Sequence, residues 1–237
     1  MVNKMSPKIS ICIPSYDSDG SNIHLLSKNI QSCLSQDYVD YEIIISDHSP
    51  GNNVKNLIDN FKSEKIKYIK NPNNIGYPAH NTNNAILNSS GEFIKIMNQD
   101  DYFNSNSVLR NMASLTKTHK WVLNGFTHLK SGTNIFYNPI IPRINGDGLH
   151  LLNGINTVGC PSVGLIPKGE IIDVDVTYMI DCELWYRLFV KFGKPGIVND
   201  HNIIIVMGDH NLSTKLKHDS KSMILKDKNY CYKKYKL

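Results

Sequence analysis

The chain has 237 residues, of which 41% are hydrophobic and 20% are charged, and its formal net charge is +5. The apolar fraction is close to the globular average and argues against an intrinsically disordered protein. The longest apolar runs, such as Ile203–Met207, have the length of a strand, and none approaches the roughly 18–20 residues that span a bilayer. The start, Met1–Pro7, lacks the apolar core of a signal peptide, which predicts a cytoplasmic chain.

The five cysteines are odd in number and show no CxxC spacing; they are Cys12, Cys33, Cys160, Cys182 and Cys231. A disulfide framework and a zinc cluster both fit this pattern poorly, whereas reduced thiols in a cytosol fit it well. The positive net charge permits an anionic partner, and its distribution along the chain decides which part of the molecule would bind one.

Strand-like and helix-like patterns alternate along the first hundred residues. Predicted strands cover Lys8–Pro14, Tyr41–Ser46, Ile66–Ile69 and Glu92–Met97, and predicted helices between them cover Asn22–Ser35, residues 54–61 and Tyr77–Leu87. Strands that alternate with helices of this length imply right-handed βαβ crossovers and a parallel sheet with both faces covered. The first half of the chain is therefore predicted to be Rossmann-like.

The second half of the chain has a less regular pattern. Ser105 is a candidate cap for a helix through Thr118, and Gly132–Asn156 predicts loops with short elements. Further strands are expected at Trp121–Leu129, Ser162–Pro167 and Ile203–Met207, and a helix is expected at Cys182–Phe192. Because no repeat or break in composition divides the chain, residues 1–213 are expected to form one domain, with halves over 8–101 and 102–213.

The positive charge is concentrated at the C-terminal end. Thr214–Leu237 carries eight lysines and two aspartates, a net charge of +6, which exceeds that of the whole chain. We consider two interpretations of this basic tail. It is a solvated surface helix, or it makes a peripheral contact with anionic lipid, where each lysine is worth about 1 kcal/mol.

Polar residues follow each of the first four predicted strands. In open α/β sheets, ligands bind in the crevice beyond the carboxyl ends of the strands. The residues expected there are Pro14–Asp17, Asp47–Ser49, Asn71–Asn74 and Asn98–Asp101. Their carboxylates and amides suit the polar edges of a nucleotide and a divalent metal. The Gly-rich motifs GxGxxG and GxxxxGK[ST] are absent, which disfavours NAD enzymes and kinases of those types.

The most informative segment is Gly91–Asp101 (GEFIKIMNQDD), a hydrophobic strand that ends in two adjacent aspartates. Adjacent like charges repel, so leaving Asp100 and Asp101 uncompensated is costly. A bound Mg²⁺ or Mn²⁺ would relieve this repulsion and could also bridge to a diphosphate. The alternative is a solvated Asp-Asp turn at the end of a strand.

Six segments together resemble the family 2 glycosyltransferases of the GT-A fold, from Ile9 to about Ser213. Ile9–Tyr16 (ISICIPSY) is similar to the family's opening strand and VIPxYN loop, and Tyr41–Ser49 (YEIIISDHS) is similar to EIIIVDDGS. Asn74–Gly76 with Asn81 and Asn84 is similar to N-x-G…N, and Gly91–Asp101 is similar to the DxD segment. Ile180–Leu188 (IDCELWYRL) is similar to EDxxLWxRL, and His210–Ser213 (HNLS) is similar to H-x-x-S. Each segment is weak by itself, but six in the family's order are specific. The resemblance implies an α/β, GT-A fold with a Rossmann-like, mostly parallel mixed sheet flanked by helices.

The resemblance also implies which residues bind a nucleotide-sugar donor in the half over 8–101. These residues are Pro14, Tyr16, Asp47, Asn81 and Asp100. Tyr16 would stack on the nucleobase, and Asp47 would accept a hydrogen bond from the N3–H of the base. Ser46 stands where the family has the first aspartate of a pair, so only Asp47 carries over. The arginine that is common in this helix of the family is missing here. His80 or Asn81 would take its place.

A divalent metal, Mg²⁺ or Mn²⁺, is the cofactor that the resemblance implies. Asp101 would be its direct ligand, Asp100 would lie near the ribose and the metal, and His210 would complete the metal shell. A structural role for His210 is an equally open alternative. The leading acid of the family's DxD segment is an amide here, Asn98.

Asp181 is the catalytic candidate, because the matching aspartate is the general base in inverting members of the family. Such a base removes the proton of the acceptor hydroxyl as its oxygen attacks the anomeric carbon. The alternative is that Asp181 only caps a helix. Glu183 points in a different direction on a helix, so both cannot be the base. The weakest expectation is an acceptor contact in the loop Cys160, Pro161 and Ser162.

The sequence therefore predicts an inverting, metal-dependent hexosyl- or N-acetylhexosaminyltransferase. Its donor would be a nucleotide diphospho-sugar, with UDP expected, and its acceptor a hydroxyl of a glycan or lipid-linked molecule, as in bacterial surface polysaccharide or lipopolysaccharide synthesis. No nucleic-acid partner is expected, and the tail would allow peripheral contact with the inner face of the cytoplasmic membrane. Two alternatives remain: a sugar-nucleotidyltransferase, which the acidic and polar Pro14–Gly20 disfavours, and a non-catalytic sugar-nucleotide-binding module of the same fold.

Overall fold

Four parallel strands form the first half of the sheet in the computed structural model, which describes residues 8–73, 77–211, 214 and 218–237. The strands are β1 (Ile9–Ser15), β2 (Tyr41–Asp47), β3 (Ile66–Lys70) and β4 (Phe93–Ile96), and the helices between them are α1 (Ile23–Leu34), α2 (Asn53–Phe61) and α3 (Pro78–Leu87). β1 lies between β2 and β4, and β3 pairs with the outer edge of β2. The predicted alternation of strands and helices is confirmed.

The central strand β1 is buried over nearly its whole length, which explains its unbroken apolar sequence. Helices cover both faces of a parallel sheet, so its central strands have no solvent-facing side. Leu26, Ile30 and Cys33 of α1 supply part of this cover at helical spacing. The carboxyl ends of β1, β2 and β4 meet at one edge, and the loops that follow them form the floor of the site described below.

The second half is mixed rather than parallel. It contains β5 (Tyr102–Phe103), α4 (Val108–Leu115), β6 (Val122–Lys130), β7 (Phe136–Ile140), α5 (Leu149–Leu152), a 3₁₀ turn (Pro161–Val163), β8 (Gly164–Pro167), α6 (Ile180–Phe192), β9 (Gly196–Met207) and α7 (Ser220–Tyr235). The sheet order is β3-β2-β1-β4-β8-β6-β9-β5, with β7 on the side of β6. β8 runs antiparallel to both β4 and β6 and so joins the two halves into one sheet.

Several elements of the second half differ from their predicted bounds. α4 begins at Val108 rather than near Ser105, and α6 begins at Ile180 rather than Cys182. β9 starts seven residues before the predicted Ile203, and the region predicted as loops contains both β7 and α5. Residues 74–76, Leu212 and Ser213, which carry parts of two motifs quoted above, lie outside the described residues.

Helix α6 is locked against the sheet by a tryptophan. Trp185 is fully buried, stacks on Trp121 with 6.0 Å between ring centroids, and donates its indole N–H to the carbonyl of Gly159 at 2.8 Å. A Cβ on Gly164 would lie 2.5 Å from the Trp185 ring, so only glycine permits this close approach. The helix that carries Asp181 is thus positioned by core packing.

The basic C-terminal segment contains helix α7, and this helix packs on the second half. Asp227 and Cys231 are fully buried in that contact. Lys234 pairs with Asp173 and Glu183, whereas Lys221, Lys226 and Lys233 are exposed. A search of the described ranges for a helix long and apolar enough to cross a membrane finds none. All five cysteines are free thiols, as expected.

Candidate active site

A cavity of about 680 Å³ opens at the carboxyl edge of the sheet, between the first half, α6 and α7. Nine of the residues expected at a site line it: Pro14, Tyr16, Asn81, Asp100, Asp101, Cys160, Pro161, Asp181 and His210. Asp47 and Ser162 do not line it, and each is fully buried. The cavity therefore brings together side chains from both ends of the chain.

Tyr16 stands at the mouth of the cavity with 46% of its surface exposed, as a stacking platform requires. Its backbone is fixed by Gln99, whose side-chain oxygen accepts from the Tyr16 N–H at 2.8 Å and whose amide donates to the Tyr16 carbonyl at 3.0 Å. The sequence placed Gln99 at this edge of the sheet but gave it no role. Its position between strand β4 and Asp100 was the available signal, because that loop faces the end of β1.

Asp47 is occupied by structural contacts. Its carboxylate accepts hydrogen bonds from the Tyr68 hydroxyl at 2.8 Å, from Lys70 at 3.1 Å and from the Ser49 backbone at 2.7 Å. These bonds tie β2 to β3, and they leave Asp47 buried behind the cavity wall. This geometry does not favour the hydrogen bond to the nucleobase that the resemblance implies for Asp47.

The next residue, His48, was not singled out from the sequence, and it does line the cavity. It is 2% exposed, and its Nε2 has no hydrogen-bond partner in the part of the chain that the structure describes. Burial lowers the pKa of His48 and outweighs the hydrogen bond to the Asn73 backbone and the charge of Asp47, which raise it. The ring is therefore neutral at pH 7, with an orphaned nitrogen in the wall of a ligand-sized cavity.

Asn81 uses its amide to hold strand ends together. Its Nδ2 donates to the carbonyls of Ser15 and Ser46, each at 3.0 Å, and its Oδ1 accepts from the Ser46 hydroxyl at 2.6 Å. Asn84 also donates to the Ser46 hydroxyl. Ser46, the departure from the family's aspartate pair, is thus the hub of a neutral network, and Asn81 has a scaffold role at the rim.

Asp100 and His210 lie next to each other in the cavity wall. The Asp100 carboxylate accepts from His210 Nε2 at 3.1 Å and from Asn211 Nδ2 at 2.9 Å. Both side chains are about 85% buried, at 14% and 15% exposure. A carboxylate and an imidazole at this distance offer two ligands to a divalent cation.

No cluster of three or more metal-ligating side chains occurs within residues 8–73, 77–211, 214 and 218–237. A site built on Asp100 and His210 would need its other ligands from water and from a diphosphate. Magnesium in nucleotide enzymes is commonly held in this way, by one or two carboxylates plus phosphate oxygens. The donor set thus fits a cation that binds together with a nucleotide.

Asp101 also borders the cavity, but its carboxylate is held by the protein. It is 1% exposed, and its carboxylate accepts from the Ser162 hydroxyl at 2.5 Å, from Asn98 Nδ2 at 3.1 Å and from the Val206 N–H at 3.2 Å. Burial, and then the charge of Asp100, raise the pKa of Asp101. These contacts satisfy the Asp101 carboxylate within the protein, whereas the sequence predicted Asp101 as the direct metal ligand and placed Asp100 near the metal. They also explain Asn98, because a third carboxylate there would repel Asp101.

A buried lysine lies beneath this pair. Lys95 of β4 is fully buried and donates to the carbonyl of Ser162. Burial lowers its pKa to about 8, against the opposing effects of Cys160, Cys33 and Asp101. A lysine inside an apolar strand was the sequence signal for this position. The charge of Lys95 offsets part of the negative charge at Asp101.

Asp181 is the second residue of α6, and the helix N-cap is Met179, which makes no side-chain cap bond. The Asp181 carboxylate lines the cavity and accepts a long hydrogen bond from the side chain of Asn156, at 3.5 Å from Nδ2. Burial raises the pKa of Asp181 to about 7, and a hydrogen bond from its own backbone lowers it. A weakly bonded carboxyl of this pKa is suited to accept a proton near neutral pH.

The acidic and thiol groups near Asp181 are less suited to act as a base or nucleophile. Glu183 is fully buried and is bonded to Arg187, Lys234 and Tyr235. Cys160 lines the cavity, but burial raises the pKa of its thiol well above the usual value, which disfavours a nucleophilic thiolate. Asp181 is therefore the acid in this wall that is best suited to act as a base.

Known proteins resemble this chain in sequence and in fold. A Campylobacter jejuni protein, named GalNAc(5)-diNAcBac-PP-undecaprenol beta-1,3-glucosyltransferase, is 35% identical over 97 residues, which are 40% of this chain and 30% of that protein. A crystal structure of Staphylococcus aureus TarS residues 1–349 with UDP-GlcNAc superposes with a TM-score of 0.66 at 13% identity, covering 91% of this chain and 64% of that one. The mannosyltransferase PcManGT from Pyrobaculum calidifontis, in complex with GDP-Man and Mn²⁺, superposes with a TM-score of 0.61 at 13% identity, covering 94% and 63%.

These matches have defined limits. The aligned part of the chain spans less than two thirds of each of the three proteins. The superpositions confirm the GT-A fold that the sequence predicted. The family model described as Glycosyl transferase family 2 matches residues 10–167, about two thirds of the chain, a range that ends before Asp181 and His210. The chain belongs to glycosyl transferase family 2.

Proposed function

We propose that this protein is an inverting glycosyltransferase that moves a sugar from a nucleoside diphospho-sugar, with UDP as the nucleotide, to a hydroxyl group. The observation that carries the proposal is one cavity lined by an aromatic platform at Tyr16, a carboxylate–imidazole pair at Asp100 and His210, and a protonatable carboxyl at Asp181. These groups match the three parts of a donor and acceptor complex: base, diphosphate and attacking hydroxyl.

The donor's base would stack on Tyr16 and be recognised by His48. The ring of His48 contacts the Asn73 backbone, and its other nitrogen, Nε2, is the orphan. In the neutral ring, a proton on Nδ1 leaves Nε2 as an acceptor. Uracil presents an N3–H donor at its edge, whereas cytosine presents an acceptor nitrogen there. A neutral His48 therefore favours UDP over CDP.

A divalent metal would be held by Asp100 and His210. When bound with the donor, it would stabilise the negative charge that develops on the leaving diphosphate. Asp101, with Ser162 and Asn98, fixes the turn that presents Asp100. The TarS and PcManGT complexes, with UDP-GlcNAc and with GDP-Man and Mn²⁺, support a nucleotide-sugar and a metal in this fold.

Asp181 would act as the general base. Its carboxylate would take the proton of the acceptor hydroxyl as the oxygen attacks the anomeric carbon from the face opposite the nucleotide. The bond to the diphosphate breaks in the same step, so the product carries the inverted anomeric configuration. Asn156, bonded to Asp181, would orient the carboxylate toward the hydroxyl.

The acceptor would be a lipid-linked or polymeric glycan in bacterial surface polysaccharide synthesis. The name of the C. jejuni relative specifies an undecaprenol-linked acceptor, which supports this class. The lysines on the outer face of α7 would bring the protein to the anionic inner face of the membrane, where such acceptors occur. Cys160 and Pro161, on the cavity wall near Asp181, would contact the acceptor sugar.

A panel assay tests this function against its alternatives. The purified protein is incubated with UDP-, GDP-, CDP- and dTDP-sugars, with Mn²⁺ or EDTA, and with or without undecaprenyl-diphosphate-linked and free glycan acceptors. We expect acceptor-dependent release of UDP that requires the metal, and NMR of the product should show inversion. A nucleotidyltransferase would instead release pyrophosphate from UTP and a sugar 1-phosphate, which are supplied in a separate reaction, and donor binding without turnover would indicate a binding module.

A further inference from the structure

One carboxylate of the C-terminal helix is directed at the backbone that leads into α6. Asp227 is fully buried, and its Oδ2 accepts from the N–H groups of Thr177, Tyr178 and Met179 at 3.1, 2.6 and 2.9 Å. Hydrogen bonds to an ionised acceptor are about twice as strong as neutral ones. Three consecutive amides held by one buried oxygen give this segment a defined conformation.

This segment ends two residues before Asp181. Met179 is the N-cap of α6, and its own side chain makes no cap bond, so the start of the helix is fixed from outside. The carbonyl of Met179 accepts the first intrahelical bond, from the Glu183 N–H at 2.9 Å. A shift of the segment 177–179 would therefore carry Asp181 with it.

The same helix forms part of the cavity wall. Ile224 of α7 lines the cavity beside Gly154 and residues 177–179. A Cβ on Gly154 would lie 3.2 Å from Ile224 Cγ2, which shows how closely the two segments pack. The part of α7 that holds the backbone before Asp181 thus also bounds the space that an acceptor would occupy.

The far end of α7 is anchored by separate contacts. Lys234 donates to Asp173 at 2.6 Å and to Glu183 at 2.7 Å, and the Tyr235 hydroxyl donates to Glu183 at 2.6 Å. These bonds dock the helix without touching the amides of residues 177–179. General docking of α7 and the specific contact of Asp227 can therefore be separated by mutation.

From this arrangement we infer that Asp227 is a positioning residue for the general base Asp181, and that α7 is a working part of the active site. The inference rests on the proposed function, because it assigns Asp181 the role of base. The basic C-terminal segment would then contribute to the site, because its inner face carries Asp227.

The primary test is Asp227→Asn, which keeps the shape of the side chain but sets an amide against three N–H donors. We expect kcat to fall about tenfold to a hundredfold, the range that a small misplacement of a catalytic group produces. The KM for the donor and the Kd for UDP should stay within twofold, since the donor residues lie on other elements. Asp219→Asn, an exposed aspartate at the start of the same helix, is the matched control and should leave kcat unchanged.

Two further variants distinguish positioning from stability. Lys234→Met should lower the melting temperature and leave kcat, expressed per donor-binding site, unchanged. The double variant Asp181→Asn with Asp227→Asn should be no slower than Asp181→Asn alone, because Asp227 acts only through Asp181. An additive loss in the double variant, an equal loss of kcat in Lys234→Met, or wild-type kcat in Asp227→Asn would each overturn the inference.

Hydrogen exchange provides a readout that is independent of transfer. The amides of residues 177–179 should exchange slowly in the wild-type protein and much faster in Asp227→Asn, with α6 beyond its first turn unaffected. If Asp227→Asn does not fold, Asp227→Glu keeps the acceptor and displaces it by one methylene group, and it should show the same loss of kcat. Absence of transfer in every protein of the series would refute the proposed function, whereas unprotected amides in the wild type would refute the contact itself.

Discussion

The two halves of the molecule position their functional residues in different ways. In the first half, residues at the carboxyl edge of the sheet hold neighbouring strand ends: Gln99 after β4 fixes Tyr16 after β1, and Asn81 of α3 joins the ends of β1 and β2. In the acceptor half, Asp181 lies on a helix whose entry is held by Asp227, from the end of the chain. Sheet topology thus places the proposed donor contacts, whereas the backbone before the proposed base is held by a helix from the end of the chain.

The sharpest test of this contrast is the base itself. Asp181→Asn should reduce transfer by about 10²- to 10⁴-fold, the usual contribution of a general base, because the amide cannot accept the proton. UDP affinity, which depends on the other half, should change less than twofold. Steady-state kinetics of acceptor glycosylation and calorimetric titration with UDP measure the two quantities.

Asp175→Asn supplies the control for this variant. Asp175 is an exposed aspartate in the segment before α6, outside the cavity lining, and its replacement should leave transfer near the wild-type rate. Transfer by Asp181→Asn at a similar rate would remove Asp181 from the mechanism.

The adjacent aspartates provide the next largest effect. Asp100→Asn should raise the Mn²⁺ concentration for half-maximal activity by about tenfold or more, since it would remove one of the two proposed protein ligands. Asp101→Asn should leave that midpoint unchanged and lower the melting temperature by about 2–10 °C, because its amide would face the donors of Ser162 and Val206. The reverse pattern would restore Asp101 as the ligand expected from the sequence.

The pH dependence of the rate tests the environment of Asp181. Burial raises the pKa of Asp181 to about 7, and the base must be ionised. We expect kcat to rise with pH up to about 7 and then level off, falling about tenfold per pH unit on the acid side. A flat kcat between pH 5.5 and 8 would contradict this assignment.

The raised pKa of Asp181 also affects the stability of the fold, which should decrease over the pH range in which kcat increases. Between its usual pKa of 3.8 and about 7, the folded protein binds more protons at Asp181 than the unfolded chain does. Its contribution to stability is therefore fully present below pH 3.8 and is lost as the pH rises toward 7. The difference in melting temperature between Asp181→Asn and the wild type should accordingly grow over this range in favour of the variant.

A smaller effect is expected on the choice of nucleobase. His48→Ala should weaken UDP binding about tenfold, the cost of one buried hydrogen bond, and should reduce discrimination against CDP. His24→Ala, which changes an exposed histidine of α1, should alter neither value. Asp47→Asn should lower the melting temperature, because it disrupts the bonds to Tyr68, Lys70 and the Ser49 backbone. Unchanged UDP affinity in His48→Ala would mean that residues other than His48 contact the nucleobase.

The sequence predicted the first half well because its signals are local. Each strand is a short apolar run that ends in polar residues, and parallel connectivity determines where those ends meet. It also identified Asp100 and Asp181 as residues of one site. It did not show that Asp101 and Asp47 are held by structural contacts, since those contacts come from Ser162, Tyr68 and other residues distant in sequence.

The packed face of the C-terminal helix was beyond sequence reasoning for a different physical reason. Its lysines dominate the composition, and the pattern therefore indicated a solvated or membrane-facing segment. The packed face is defined by a few residues, among them Ile224, Asp227 and Cys231, whose partners lie in the region before α6. A single buried aspartate among lysines gives no periodic signal, so the contact appears only in three dimensions.

The smallest expected effect concerns the outer face of that helix. Lys221, Lys226 and Lys233 are exposed, whereas Lys234 is paired with Asp173 and Glu183, so the two faces of α7 can be tested separately. Deleting the segment would remove Asp227 from the site along with the lysines. Lys226→Gln should instead weaken binding to vesicles that contain anionic lipid by about fivefold, equivalent to about 1 kcal/mol, and spare transfer to a soluble acceptor.

Lys117→Gln, which removes an equal charge from an exposed position outside α7, is the control for this substitution. Vesicle co-sedimentation at physiological salt measures both proteins. Equal losses would mean that the vesicles respond to net charge rather than to this face, and no loss in either would leave the lysines without a role at the membrane. A loss confined to Lys226→Gln would assign membrane binding to the outer face of α7, apart from the inner face, where Asp227 holds the backbone before α6.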